Sequence, residues 1–145
     1  MKYTTATPYI ASYVLARRDN KIVFVLRENT GWMDGYYGLP SGKVEKGETY
    51  SQAAVREAKE EIDIEIKSEH LKFTHLSHRK AEDAWVDVYF EAVSWQGEPI
   101  NAEPGVHKEI AWLAVDNLPD NVVPAVRFVL EQIKAGNTYS EYDWH

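Results

Sequence analysis

Between Gly38 and Ile64 the chain reads GLPSGKVEKGETYSQAAVREAKEEIDI, a glycine-rich loop that feeds a short helix. Thr49 is a good N-cap, and Gln52 three residues on completes a capping box, so the start of the helix is set locally. Asp63, directly after Ile62, is the expected stop. At about 100° per residue Val55, Ala58 and Ile62 share one stripe, the stripe that should face a core. Glu57, Glu60 and Glu61 share another, because residues three and four apart are neighbours on a helix. Like charges so placed repel, and a helix on its own gains nothing from them. A cation belongs there. Clustered carboxylates offer hard oxygen ligands, which suit Mg²⁺ or Mn²⁺ better than Zn²⁺. A divalent ion that rests on a few carboxylates and keeps some of its waters is a common grip on a polyphosphate. The bland alternative for three such glutamates is a solvated acidic face, and the residues around them decide between the two.

Gly42 is followed after five residues by Glu48, and after seven more by Arg56-Glu57-Ala58-Lys59-Glu60-Glu61-Ile62-Asp63-Ile64. This spacing resembles the box of the Nudix hydrolases at every fixed position but one: Asp63 stands where the family carries glycine. Glycine past a helix end serves the left-handed conformation, which Asp reaches more readily than most residues; the cost, about 1–2 kcal/mol for an ordinary L-residue, falls on folding. The resemblance implies an α/β Nudix fold, a three-layer α/β/α sandwich around a mixed β-sheet, filled by one domain over residues 1–145. It implies Glu57, Glu60 and Glu61 as metal ligands, with Mg²⁺ or Mn²⁺ as the cofactor, and a backbone carbonyl from Ser41, where many members have glycine. It also implies that Arg56 pairs with Glu48 and holds the loop against the helix.

A second stretch, Gly97-Glu98-Pro99-Ile100-Asn101-Ala102-Glu103-Pro104, resembles a segment of MutT-like members of the family that runs on through a tryptophan, here Trp112, to Leu118-Pro119. In such proteins the glutamate at the position of Glu103 reaches the metal from outside the helix, so Glu103 joins Glu60 as a candidate base. Arg27, at the exit of a strand, corresponds to a basic residue that contacts substrate phosphate, for which a guanidinium is well shaped. Tyr37, in a glycine-rich loop with Trp32 and Tyr36, is a candidate for stacking on a base. The turn before the last helix helps recognise the base in several MutT-like enzymes; here it is mostly Val122, Val123, Ala125 and Val126, with Asn121 as the polar residue expected to contact substrate.

The remaining elements follow from patterning. Tyr9–Ala16 and Lys21–Arg27 read as a hairpin around Arg18-Asp19-Asn20. Residues 28–47 read as one long functional loop. Leu71–Ser77 and Trp85–Trp95 read as strands joined by a charged turn over 78–84. Asn121–Lys134 reads as a helix capped by Asn121, with Pro124 in its first turn, Gly136 past its end and Val126, Val129, Leu130 and Ile133 on its buried stripe. The five histidines show no metal spacing and read as ordinary imidazoles, and the aromatic tail TYSEYDWH as packing on the body or on a partner subunit.

Composition narrows the partners. Hydrophobic residues at 44% and charged ones at 27% describe an ordinary globular chain. A net charge of −7 disfavours a nucleic-acid surface, while bound cations would still let a phosphorylated small molecule approach. No run is long and apolar enough for a membrane span, and the polar residues among 1–20 speak against a signal peptide. The absence of cysteine fits a reducing, cytoplasmic setting. The expected activity is metal-dependent hydrolysis of a nucleoside diphosphate linked to another group, foremost a nucleoside triphosphate, canonical or oxidised, giving monophosphate and pyrophosphate. ADP-ribose or a nucleotide sugar is the alternative substrate. A non-catalytic nucleotide sensor is disfavoured because every box carboxylate is present. The resemblance further implies a small-molecule nucleotide as partner and a homodimer, as is frequent in the family.

Overall fold

A computed structural model describes residues 4–145. Its eight strands form one mixed sheet with a helix on each face. Strands β1 (Tyr9–Arg18) and β2 (Lys21–Arg27) form the expected hairpin, with Asp19 at φ 58° in its turn. They pair only near that turn, through Arg17–Ile22 and Arg18–Lys21. Beyond it they part, and two short strands enter the fork: β3 (Tyr37–Gly38) on β2 and β4 (Ser41–Lys43) on β1. The 28–47 stretch is therefore not one structureless loop. Its second half is anchored in the sheet, which fixes where the box loop meets the box helix.

β1 also runs parallel to β6 (Ala84–Ala92), which is antiparallel to β5 (Lys72–Lys80); β5 in turn is parallel to β8 (Tyr139–Tyr142). The far edge of β2 is covered by β7 (His107–Ala114), antiparallel along the whole of β2. Alternation along the central strands sorts the core. Val14, Ala16, Val23, Val25, Val88 and Phe90 pack with Ala54, Ala58 and Ile62 of α1 (Tyr50–Ile62). Their neighbours Leu15, Ile22, Phe24 and Tyr89 pack with Val126, Val129 and Leu130 of α2 (Pro124–Lys134). Strands covered on both faces carry near-continuous apolar runs, as KIVFVLR does.

Several boundaries differ from the sequence reading. β5 continues to Lys80, so the turn shrinks to 81–83, and β6 ends at Ala92, short of Trp95. β7 had no counterpart in the sequence reading. Asn121 is not the cap of α2: that position is Val123, which offers no side-chain bond, and Pro124 at the first helical position needs no acceptor for a missing N–H. The Asn121 amide instead donates to the Gly35 carbonyl at 3.0 Å. The tail packs on the body as β8, and Trp144 donates to the His78 carbonyl at 2.8 Å.

Candidate active site

Helix α1 starts and stops as its sequence dictates. Thr49 Oγ accepts from the Gln52 amide at 3.1 Å, and Gln52 Oε1 accepts from the Thr49 amide at 2.9 Å. Asp63 closes the helix in the left-handed region at φ 56°, ψ 40°, and its carboxylate takes a bond from Lys59 at 2.7 Å. The last carbonyls of a helix lack partners within it. Here the 97–104 segment supplies them: Ile100 donates to the Ile62 carbonyl at 3.0 Å and Ala102 to that of Glu61 at 3.1 Å. Asn101 then fixes the turn that follows, donating to the His107 carbonyl at 2.8 Å and accepting from the Glu103 amide at 3.2 Å. These bonds bring Glu103 and His107 to Glu61.

Arg56 ties loop to helix. Its guanidinium meets both oxygens of Glu48, at 2.7 and 3.0 Å, and reaches Glu57 at 2.7 Å, the Lys43 carbonyl at 3.2 Å and Glu60 at 3.4 Å. The same guanidinium holds the Glu48 carboxyl down to about 2. Gly42 sits against this carboxylate: a Cβ there would clash with the Glu57 oxygens, so the Glu57 side chain would have to shift. Glu61 is buried, 7% exposed, and accepts from the Ser41 amide at 2.6 Å. Glu57 is largely enclosed, whereas the Glu60 side chain is 52% exposed.

The charge balance of this cluster is unfinished. Burial pushes the Glu61 carboxyl well above its ordinary value, and the nearby Glu57 charge adds to this. Burial raises Glu57 too, against the pull of Arg56, and raises Glu103, with Glu60 contributing. Ligand atoms of Glu61, Glu103 and His107 all lie within 4.8 Å of one another. His107 Nε2 is 3.4 Å from Glu61 Oε1, and its Nδ1 is buried with no hydrogen-bond partner. Carboxylate oxygens that resist ionisation beside a buried imidazole nitrogen make a donor set that fits a divalent cation.

His107 is the site residue that sequence reading missed. No spacing flagged it, because it reaches the cluster through β7 and the Asn101 turn. The sequence-derived substrate contacts lie apart. Arg27 donates to the Trp32 carbonyl at 2.8 Å and to Thr30 at 3.0 Å, and lines a cleft that also includes Ser41 and Gly42. Tyr37 packs among the residues on the α2 face, and its hydroxyl donates to Glu109 at 3.0 Å. Trp32, not Tyr37, is the loop aromatic that lines the cleft. Asn121 accepts from the Tyr37 amide at 2.7 Å through its carbonyl and is spent, with its side chain, on anchoring the loop.

The sandwich thus presents helix-borne carboxylates to a glycine-bearing loop. Residues 7–133 match the family model for the NUDIX domain. The chain is 30% identical over 120 residues to the 8-oxo-dGTP diphosphatase of Escherichia coli, spanning 81% of this chain and 92% of that one. It is 42% identical over 57 residues to the ADP-ribose pyrophosphatase of Methanocaldococcus jannaschii, a match that spans 39% of this chain and 33% of the relative. Among solved structures, a MutT NUDIX hydrolase from Burkholderia pseudomallei superposes with a TM-score of 0.79 at 29% identity, covering 87% of this chain and 98% of that one. The protein belongs to the Nudix family and is a Nudix hydrolase acting on nucleoside diphosphate derivatives.

Proposed function

We propose that the protein hydrolyses nucleoside triphosphates, canonical or oxidised, to the monophosphate and pyrophosphate, with Mg²⁺ or Mn²⁺ as cofactor. The observation that carries this reading is the cluster of buried Glu61 and His107 with half-buried Glu103, beside Glu57, in which the carboxyls are held above their ordinary range. Similarity to a diphosphatase over most of both chains supports the triphosphate. Glu57, Glu60, Glu61, Glu103 and the Ser41 carbonyl would hold the cation. When bound, it neutralises phosphoryl oxygens and acidifies the attacking water.

The protein's own residues do the rest. Arg56 fixes Glu57 and, through Glu48, the loop, so the ligands are oriented before substrate arrives. Arg27, at the edge of the cleft, contacts the phosphates. Glu103 is the better placed base: it is partly buried, and burial raises its carboxyl above the ordinary range, which favours proton acceptance. Glu60 is exposed and Arg56-bound, which leaves it a peripheral ligand or the second candidate base.

A substrate panel with Mg²⁺ tests this reading: canonical and oxidised triphosphates, ADP-ribose and diadenosine polyphosphates. Pyrophosphate release from triphosphates is expected. The local match to an ADP-ribose enzyme makes turnover of ADP-ribose alone the specific contrary result.

A further inference from the structure

The two oxygens of the buried Glu61 carboxylate face different parts of the chain. Oε2 accepts from the Ser41 amide of β4 at 2.6 Å. Oε1 lies 3.4 Å from Nε2 of His107, the first residue of β7. His107 is 3% exposed, and its backbone is tied on both sides. Its amide donates to the Glu103 carbonyl at 2.9 Å, and its carbonyl accepts from Asn101 at 2.8 Å. A ring enclosed in packed surroundings on a fixed backbone has little room to turn.

Two roles suit an imidazole nitrogen so close to a carboxylate: a ligand to the cation, or a donor that orients the carboxylate. The other nitrogen decides between them. A neutral imidazole has one N–H, at Nδ1 or at Nε2. Ligation through Nε2 puts that proton on Nδ1, and a ligating histidine normally passes it to a carboxylate, a carbonyl or water. His107 Nδ1 is buried and has no hydrogen-bond partner among the described residues. A proton there would be a buried donor with nothing to meet, which is costly. On Nε2 the same proton faces a carboxylate oxygen. The 3.4 Å contact is looser than a settled N–H···O bond of about 2.9 Å. Ionisation of Glu61, which a bound cation requires, makes the bond charge-assisted and so shorter and stronger.

We propose that His107 is a positioning residue: as the Nε2–H tautomer it donates to the Glu61 oxygen that Ser41 does not hold, and so fixes Glu61 as a cation ligand without binding the cation itself. The carboxylate has room for this, because an oxygen that accepts one bond keeps a second lone pair. With Ser41 on one oxygen and His107 on the other, β4 and β7 together set the Glu61 plane before any cation arrives. This inference rests on the reading of Glu61 as a cation ligand.

Mn²⁺ binding, followed by calorimetry and by the loss of the free ion's paramagnetic resonance signal, tests it without turnover. His107→Leu should weaken binding about 10- to 100-fold, while the Tm of the metal-free protein holds or rises because a buried unpaired nitrogen is gone. A merely structural role would lower both together. His107→Gln, whose side-chain amide can also donate, should restore most of the affinity. In the unaltered protein, ¹⁵N resonances of the ring should place the proton on Nε2 with and without Mg²⁺. Spin-echo modulation of bound Mn²⁺ should show no directly bound imidazole nitrogen. A proton on Nδ1, a directly bound nitrogen that His107→Leu removes, or an affinity unchanged in folded His107→Leu would overturn the inference. The resonance measurements need no variant, so they decide even if His107→Leu does not fold. Failure of the unaltered protein to bind Mn²⁺ would sink the cation reading and this inference with it; binding that ignores the change at His107 would sink this inference alone.

Discussion

Gly42 and Glu57 compete for the same space, and only the absence of a side chain at Gly42 resolves it. Gly42→Ala places a carbon against the Glu57 carboxylate, which has to shift to make room. Displacing Glu57 also disturbs its 2.7 Å bond to Arg56. Loss of such an orienting partner typically lowers metal affinity or activity by about 10- to 100-fold. Gly42→Ala should therefore weaken Mn²⁺ binding by that order in calorimetry while the far-ultraviolet circular dichroism stays unchanged. The titrating residues make a second prediction. Glu61 has a raised folded pKa, so the folded chain keeps this proton to higher pH than the unfolded chain does. Its contribution is present below the ordinary value of 4.5 and is lost as pH rises through the folded pKa. Glu48 behaves oppositely: its contribution is present above 4.5 and is lost as pH falls towards about 2. A cation that replaces the Glu61 proton stabilises the folded form more at higher pH. Thermal melts from about pH 5 to about pH 8 should show the Tm increment from Mg²⁺ growing with pH; a constant increment would contradict this account of the cluster.

At the scale of elements, β8 covers what would be the open edge of β5, with Ser77, His78 and Arg79 opposite Ser140, Glu141 and Tyr142. It also completes His75, a fully buried imidazole bonded to Ser140 at 2.7 Å and to the Asn137 carbonyl at 2.9 Å. Removing residues 138–145 exposes a strand edge and strips one partner from a buried polar ring, which alone costs about 1–3 kcal/mol. A lower Tm and concentration-dependent light scattering are expected, and an unchanged Tm would show that the tail contributes little. The elements also separate what the sequence discloses from what it hides. Thr49, Gln52 and Asp63 act on their immediate neighbours, so both ends of α1 were legible. So was the pairing of Arg56 with Glu48, through the family spacing. β7 was not: its burial pattern is mixed, because it lies at an edge of the sheet, and HKEIAWLA alternates poorly. Asn121 misled for a related reason. Its local sequence suits a cap, but a distant carbonyl on Gly35 claims the amide. His107 meets Glu61 only where the start of β7 reaches α1's last turn, which no local pattern records.

The whole molecule is organised around the fork between β1 and β2. Because these strands pair only near their turn, the sheet has room for β3 and β4, and β4 presents Ser41 and Gly42 to the carboxylates of α1. The 97–104 segment closes the opposite side by taking the carbonyls at the end of the same helix. The residues proposed to hold the cation are thus drawn from α1, β4 and the approach to β7, parts of the chain that meet only in the finished fold. The cleft lined by Trp32, Arg79 and Trp85 also takes in Ser41 and Gly42, so it adjoins them. The most direct test of the central claim is pyrophosphate release from nucleoside triphosphates in Mg²⁺, compared among the unaltered protein, Glu57→Gln and Glu61→Gln. The account predicts Mg²⁺-dependent release that is abolished by EDTA and falls by at least about 100-fold in each variant, with the fold intact. Undiminished release in EDTA or in Glu61→Gln would contradict it.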